Sequence, residues 1–474
     1  MGDGRRTRAR ERAAKSPALP AGLFLHRRAA LGRRLRRPSL VPLALAGYRR
    51  ERVTEISFPV AAAMMEGGFL GVVAAKIFEV QPAVLALISA APMFGNLSSF
   101  VWARLANGRR KVPFILGLQI SFAALVAAVA FLPVTPLGTA LLVAALIAAR
   151  LVFGGILTLR SLVWSLNYPR EVRGRVTARL AMLTTGTLAL TSAIGGALLD
   201  ADPERFRMLY VGGAAMAGVG VLAFSRVPVL GEARHRVRER ADGRRATRER
   251  SVRRRRRLLG LLRSDPLYAR YQAWQFLLGV SNMMIEAPLI YLVSVQLQLS
   301  YTQAIGVTQV LPLGLAVLTI PLWASYLDRV HIAEFRSRHS WLFAFSLLLL
   351  WGGAALHSLA LIAAARAVLG LARGGGMLAW YLGHNDFADS ERMGLYMGVH
   401  VTLTGLRGAV APFVGMLLYV GWSATTLPGT GVTLPGFEGV GTWLMLAASL
   451  LSSVAAFGYL GLHRRIRLLD AVRR

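Results

Sequence analysis

The chain of 474 residues contains no cysteine, so neither a disulfide nor a thiolate metal site can form within it. Acidic residues are scarce: 23 Asp and Glu stand against 56 Lys and Arg, a formal net charge of +33. Lysine is nearly absent too, with 3 Lys beside 53 Arg, a usage that points to a prokaryotic source. The eight histidines are scattered and no H-E-x-x-H occurs, which removes the helical zinc-hydrolase pattern. Long polar stretches able to form a soluble catalytic domain are also missing. The composition is 55% hydrophobic with a mean hydropathy of +0.49, well away from a soluble average.

What remains is a series of apolar runs, each long enough to cross a hydrocarbon core of ~30 Å as a helix. Twelve are predicted. The first six are Ser57–Phe78, Pro82–Leu105, Val112–Leu132, Leu137–Leu166, Val176–Leu199 and Met208–Phe224. The second six are Trp274–Leu297, Thr302–Leu327, Trp341–Leu356, Leu359–Leu382, Met393–Val420 and Thr442–Leu462. They are numbered helices 1 to 12 below.

The positive charge is unevenly spread. Residues 1–53 hold 15 basic and 3 acidic residues, and residues 226–270 hold 16 and 5. The shorter loops "NGRRK", "PREVRGR", "DRVHIAEFRSR" and "HRRIR" lie on the same side, whereas "WSATTLPGTGVTLPGFEG" after helix 11 has no Lys or Arg. By the positive-inside rule both termini and the central linker are cytoplasmic, and the protein is expected in the cell's inner (plasma) membrane. Basic runs of this kind match anionic lipid headgroups. Nucleic acid is not expected as a partner, because the runs lack interleaved aromatics for base stacking. The expected organisation is a disordered basic arm (1–53), a six-helix bundle (54–226), a basic linker (227–269), a second six-helix bundle (270–465) and a cytoplasmic tail (466–474). The apolar run "LVPLALAG" in the arm is too short to suggest a cleaved signal peptide.

Self-comparison reveals a repeat. Met64-Met65-Glu66 matches Met283-Met284-x-Glu286 at a shift of 219–220, and Trp102-Ala103 matches Trp323-Ala324 at 221. Arg150-x-x-x-Gly154 matches Arg366-x-x-x-Gly370 at 216, while Thr185-Gly186 and Gly196 match Thr404-Gly405 and Gly415 at 219. The order of matches gives two six-helix halves of parallel topology, a plan in which sites sit near the midplane between the halves.

Twelve spans in two such halves around a long basic middle segment resemble the major facilitator superfamily across residues 52–465. The loop between helices 2 and 3 in that family usually reads like G-x-x-x-D-R-x-G-R-R/K. Here "LANGRRK" keeps Gly108, Arg109, Arg110 and Lys111, with Leu105 at the acidic position. The repeat copy "ASYLDRVH" keeps Asp328 and Arg329, with His331 at the glycine position. The resemblance implies an all-α membrane fold, a cytoplasmic gate at these residues in which Asp328 caps a neighbouring helix, and transport of a small solute by alternating access. It also implies that helices 1 and 7 border a central cavity. Ordinary positive-inside charge accounts equally for Arg109 to Lys111.

Charges at membrane depth are the candidates for a site. Glu66 lies nine residues beyond Ser57, roughly 14 Å in, and Glu286 twelve beyond Trp274, roughly 18 Å. An unpaired carboxylate at such depth costs at least ~2.5 kcal/mol, so each must find a cation, a wet cavity or a proton. Arg150 and Arg366 are the repeat-related cations, and structural ion pairing fits the four residues as well as a direct part in proton coupling or substrate binding does. On helix 11, Tyr396, His400, Thr404 and Arg407 share one face; on helix 7, Gln275, Asn282 and Glu286 do. His400 and Arg407 have no polar counterpart in helix 5, which favours substrate contact: guanidinium suits a carboxylate or phosphate, and imidazole titrates near neutral pH. Arg160 and Arg373, nearer the cytoplasmic ends, are expected to snorkel. "RGGGM" in helix 10 lacks the strand and Lys-Ser/Thr of a phosphate loop and reads as a packing or flexing point. No enzyme activity and no cofactor are expected, and a small-molecule solute, lipid and protons are the expected partners of a monomer. A non-transporting receptor or assembly factor, and a membrane-embedded lipid enzyme, are the alternatives.

Overall fold

The computed structural model describes residues 42–245, 260–389, 392–426 and 433–473. The arm over residues 1–41 and the linker stretch 246–259 lie outside the described residues. The described chain runs through helix 1 (Pro42–Lys76), helix 2 (Pro82–Leu105), helix 3 (Lys111–Val129), helix 4 (Pro136–Asn167), helix 5 (Arg170–Ala201) and helix 6 (Phe206–Ser225). A linker helix (Glu232–Arg245) follows. The second half comprises helix 7 (Pro266–Tyr291, continued by a π-helical turn over Leu292–Gln296), helix 8 (Tyr301–Leu327), helix 9 (Ile332–Ala355), helix 10 (Leu359–Leu382), helix 11 (Met393–Val420) and helix 12 (Trp443–Arg473). A two-stranded antiparallel hairpin, Thr425–Thr426 with Thr433–Leu434, sits between helices 11 and 12.

Eleven of the described helices are long and apolar enough to span a bilayer. Helix 9 is the twelfth; Glu334, Arg336, Arg338 and His339 in its first turns lower its hydropathy. Several boundaries differ from the sequence reading. Helix 1 begins at Pro42, not Ser57, so residues 42–53 of the expected arm are helical. Helix 9 begins at Ile332, not Trp341, and helix 12 continues through the expected tail to Arg473. Each extension carries charged residues, which hydropathy reads as the end of a span even where the helix goes on.

Helix 1 is broken twice. Pro59 interrupts it after Ser57, and at Met65-Glu66 the backbone turns extended (Glu66 ψ 143°) before restarting at Gly67. Helix 8 has its own irregularity at the same depth, a π-helical turn over Gly306–Val310. The two meet through Gln309, whose Oε1 accepts from Phe69 N (2.8 Å) while its Nε2 donates to Ala63 O (3.3 Å) and Ser192 Oγ (2.6 Å). Thr308 Oγ1 donates to Gly68 O at 3.0 Å. A Cβ at Gly68 would lie 3.0 Å from the Gln309 side chain, so this approach needs the missing side chain.

The repeat recurs in the packing. Trp102 Nε1 donates to Leu151 O (2.8 Å) and Trp323 Nε1 to Leu371 O (2.7 Å); Ser98 and Thr319 donate to the same two carbonyls at 3.3 Å. Gly155 packs on Trp102 as Gly375 packs on Trp323. These contacts relate helices 4 and 10 at a shift of 220, not the 216 that paired Arg150 with Arg366. A slip of four residues keeps the same helix face, so the face pattern matches in either register. Arg366 therefore sits one turn nearer the helix 10 start than the position equivalent to Arg150.

The side of the molecule carrying the linker helix is called here the linker side, and the opposite one the far side. Every hydrogen bond between the two halves among the described residues lies at mid-depth or on the far side. Asp200, near the end of helix 5, accepts from Tyr301 N (2.5 Å), Thr302 N (3.0 Å) and Ser300 Oγ (3.0 Å), capping the start of helix 8. Lys76 Nζ donates to Leu299 O at 2.6 Å. The far side is thereby latched shut. Losing a carboxylate that accepts three hydrogen bonds should shift the latch equilibrium by roughly tenfold or more. In an Ala304→Cys protein, whose new thiol is buried under the latch, Asp200→Ala should accelerate maleimide labelling from the far side by that factor. An unchanged labelling rate would show that Asp200 does not hold the gate.

Candidate functional site

The mid-depth carboxylates are both paired. Arg150, buried on helix 4, donates to Glu66 Oε1 at 3.0 Å and also to the Met65 carbonyl freed by the break in helix 1. Glu286 faces two guanidiniums: Arg373 Nη2 lies 2.7 Å from Oε1, and Arg366 Nη2 lies 3.5 Å from Oε2. Arg366 also donates to Val307 O (2.8 Å) and Thr308 O (3.2 Å), carbonyls of the π-helical turn in helix 8. Each mid-depth arginine thus neutralises a glutamate and satisfies backbone that an unbroken helix would have satisfied itself. Glu66 and Glu286 keep about a third of their side-chain surface accessible, 31% and 32%, so neither pair is sealed. Arg373 does not snorkel; it points inward to Glu286.

A cavity of about 300 Å³ lies between the halves, mostly inside the second. Gln275, Gly279 and Asn282 of helix 7 line it, with Arg407 of helix 11, Arg373 and Trp380 of helix 10, and Arg336 of helix 9; Thr185 of helix 5 comes from the first half. Its volume is at the small end of ligand sites, and its walls are mainly apolar with a few polar groups, as such sites usually are. Arg407 donates to Gln275 O, and Gln275 Oε1 accepts from Tyr459 at 2.8 Å. A Cβ at Gly279 would lie 2.2 Å from the Arg407 guanidinium carbon, so only glycine lets Arg407 lie across helix 7 there.

The expected helix 11 face divides in two. Arg407 reaches the cavity. His400 and Thr404 are buried but stand outside its wall: His400 Nδ1 lies 3.3 Å from Gln272 Oε1 with its ring against Trp380, and Thr404 accepts from Trp380 Nε1 at 3.3 Å. Both therefore contact the Trp380 side chain, which itself lines the cavity. Gln275 and Asn282 do line the cavity, as the helix 7 face implied. Arg336 was missed, because the sequence reading started helix 9 beyond it. The glycines of "RGGGM" are packing points: Gly374 lies against Thr319 and Ala316, Gly375 against His339 and Trp323.

Two further groups lie toward the linker side. Arg160 does not snorkel: it is buried and pairs with both Glu55 and Glu51 of helix 1. Trp164 Nε1 and Tyr168 Oη also donate to Glu51, and Thr184 Oγ1 donates to Glu55 Oε2 at 2.5 Å. The expected gate motifs are engaged unequally. Gly108 N donates to Glu239 Oε2 (2.8 Å) of the linker helix, Lys111 Nζ pairs with the same carboxylate (2.7 Å), and Lys111 N donates to Glu232 Oε1 (2.6 Å). Arg109 and Arg110 are exposed, Arg109 lying over the Phe114 ring. Asp328 is exposed and, among the described residues, caps no helix; Asp386 accepts from Ile332 N at the start of helix 9 (2.7 Å). Arg329 donates to Ser325 Oγ within its own helix (3.3 Å). Among the described residues no cluster of three His, Asp or Glu side chains is placed to hold a metal ion.

The Major Facilitator Superfamily matches residues 58–354, more than half of the chain. The structure is similar to that of a D-xylose–proton symporter, with a TM-score of 0.64 and 12% identity over 88% of this chain and 97% of that one. It is also similar to a POT family transporter in complex with a thioalcohol-conjugated peptide (TM-score 0.63, 12% identity, 89% and 96% covered). A third is the nucleoside transporter NupG (0.59, 14% identity, 89% and 99% covered). At these identities the likeness establishes the fold. No curated protein matches the chain by sequence.

Two outcomes test the linker-side contacts. Arg160→Met strands two buried carboxylates and should destabilise the protein by about 3–5 kcal/mol, read as loss of cooperative unfolding or a large fall in Tm; a Tm within error of wild type would show the cluster is not held by its charge. Burial raises the Glu239 pKa, but Lys111 and the Gly108 N–H outweigh it and hold the carboxyl below its ordinary range. A depressed carboxylate stabilises above its unfolded pKa and loses that contribution as pH falls through the folded one. Proteolysis within the linker helix should therefore be slow at neutral pH and accelerate only below the usual glutamate range of ~4.3; equal cleavage at both pH values would remove the clasp.

Proposed function

The chain belongs to the Major Facilitator Superfamily, and on that premise we propose that it is a secondary active transporter moving a small solute by alternating access through the cavity between its halves. It is a multi-pass membrane protein of a transporter fold. The observation that carries the reading is the joint arrangement of cavity and gate. The lined space lies between the halves, and among the described residues the hydrogen bonds that join the halves lie at mid-depth or on the far side, with none on the linker side. A solute cavity with one closed exit is one end point of a rocking cycle. The basic linker, Arg-rich loops and both helix ends on one side support a cytoplasmic linker side, facing anionic headgroups, and hence an inward-facing conformation of a monomer.

Proton coupling is assigned in this reading to the paired glutamates, with Glu66 preferred because one guanidinium faces it where two face Glu286. Protonation of Glu66 would end its attraction for Arg150. That arginine also holds the Met65 carbonyl at the break in helix 1, directly beside the Gln309 contacts that tie helix 1 to helix 8. A proton there can therefore loosen the junction between halves. In proteoliposomes, Glu66→Gln or Glu286→Gln should keep solute counterflow and lose the acceleration of uptake by a pH gradient. Full gradient-driven uptake in both variants would show that neither glutamate carries the proton.

A further inference from the structure

The cavity wall contains three guanidiniums, those of Arg336, Arg373 and Arg407. Arg373 has a counter-charge in Glu286 at 2.7 Å, which also serves Arg366. The other two have none. Arg336 is 2% exposed and Arg407 5%, yet among the described residues no carboxylate pairs with either. Arg336 lies 3.5 Å from the Nδ1 of His339 and beside the Tyr271 hydroxyl, and Arg407 donates to the carbonyl of Gln275, so their partners among the described residues are neutral. The Nε of each is buried without a hydrogen-bond partner. Two like charges thus line one cavity with no carboxylate among the described residues paired to either.

Neither arginine is part of the repeated framework. Helix 3, the counterpart of helix 9, has no charged residue after Lys111 at its start, and the position in helix 5 equivalent to Arg407 is Leu188. A scaffold role shared by both halves would leave a trace in both. The rest of the wall is of another kind: Leu278, Leu313, Phe343 and Trp380 are apolar, and Asn282 offers a neutral amide. Guanidinium forks match the paired oxygens of a carboxylate or phosphate, and such charge-assisted bonds are the strong ones.

We propose that the solute is an amphipathic organic anion whose carboxylate or phosphate oxygens sit between Arg336 and Arg407 and whose apolar body lies against Leu278, Leu313, Phe343 and Trp380. This rests on the transporter reading for the place of the cavity in a cycle, but the binding chemistry stands on the arginines alone.

The full-length protein in nanodiscs is tested for thermal stabilisation by phenylacetate, phenyl phosphate and the neutral phenylacetamide. The acids should stabilise it and the amide should not; the stronger acid identifies the head group. Arg336→Gln and Arg407→Gln should each weaken the response about tenfold or more, Arg407→Lys should keep part of it, and Arg338→Gln, on the exposed side of helix 9, should keep all of it. Removing one of two facing buried charges should leave the ligand-free Tm of the Gln variants unchanged or higher, where a purely structural arginine would lower it. Equal stabilisation by the amide, or an undiminished response in both Gln variants, overturns the anion site. Anion stabilisation without any uptake into proteoliposomes supports the site and overturns the transporter reading. Uptake of the amide with no response to either acid does the reverse.

Discussion

Inside a bilayer there is no water to satisfy a peptide group left open by a break in a helix, so any such break must be closed by side chains of neighbouring helices. Helices 1 and 8 both lose regular hydrogen bonding at mid-depth, at Met65-Glu66 and over Gly306–Val310. Arg150 closes the first at Met65 O, Arg366 the second at Val307 O and Thr308 O, and Gln309 joins the two. The glutamates then follow from the arginines: a guanidinium placed for backbone reasons needs a counter-charge, and Glu66 and Glu286 supply it. The electrostatics of the core and the irregularity of its backbone are one arrangement, and this is why a carboxylate beside a Met-Met pair recurs in both halves.

On that shared frame the halves have diverged in charge. The first half buries Glu51 and Glu55 around a single Arg160, an acidic excess on the linker side. The second buries Arg336 and Arg407 without a paired carboxylate and sets Arg366 and Arg373 on the one Glu286, a basic excess at the cavity. Opposite imbalances in two bundles of like architecture separate what the fold requires from what the individual protein adds. The helix 2–helix 4 and helix 8–helix 10 contacts belong to the first category; the unpaired arginines belong to the second.

The sequence revealed the spans and the repeat, because hydropathy and self-similarity are local properties of the chain. It placed Gln275, Asn282 and Arg407 on faces that do reach the cavity. Where hydropathy stood in for membrane position it failed in one direction. "YRRERVTEIS" and "IAEFRSRH" look like loop, yet both are helical and hide Glu51, Glu55 and Arg336 against protein and not lipid. Their partners lie on other helices, and no periodicity reports that. His400 and Thr404 share a face with Arg407, but a face is wider than a cavity wall, and these two contact Trp380 while Arg407 lines the space. The register of helix 10 was off by one turn for the same reason that helical faces are legible at all: residues four apart look alike.

Gln309 narrows the choice of amino acids at its position almost to one. With a single primary amide it accepts from Phe69 N of helix 1 and donates to Ala63 O of helix 1 and Ser192 Oγ of helix 5. Glutamate has the reach but no donor, asparagine has both functions but is one methylene short, and leucine or methionine has the volume and neither function. Among descendants of this chain, drift at that residue is confined by geometry and not by the solute, so a lineage can exchange its cargo through the cavity arginines while this glutamine stays fixed.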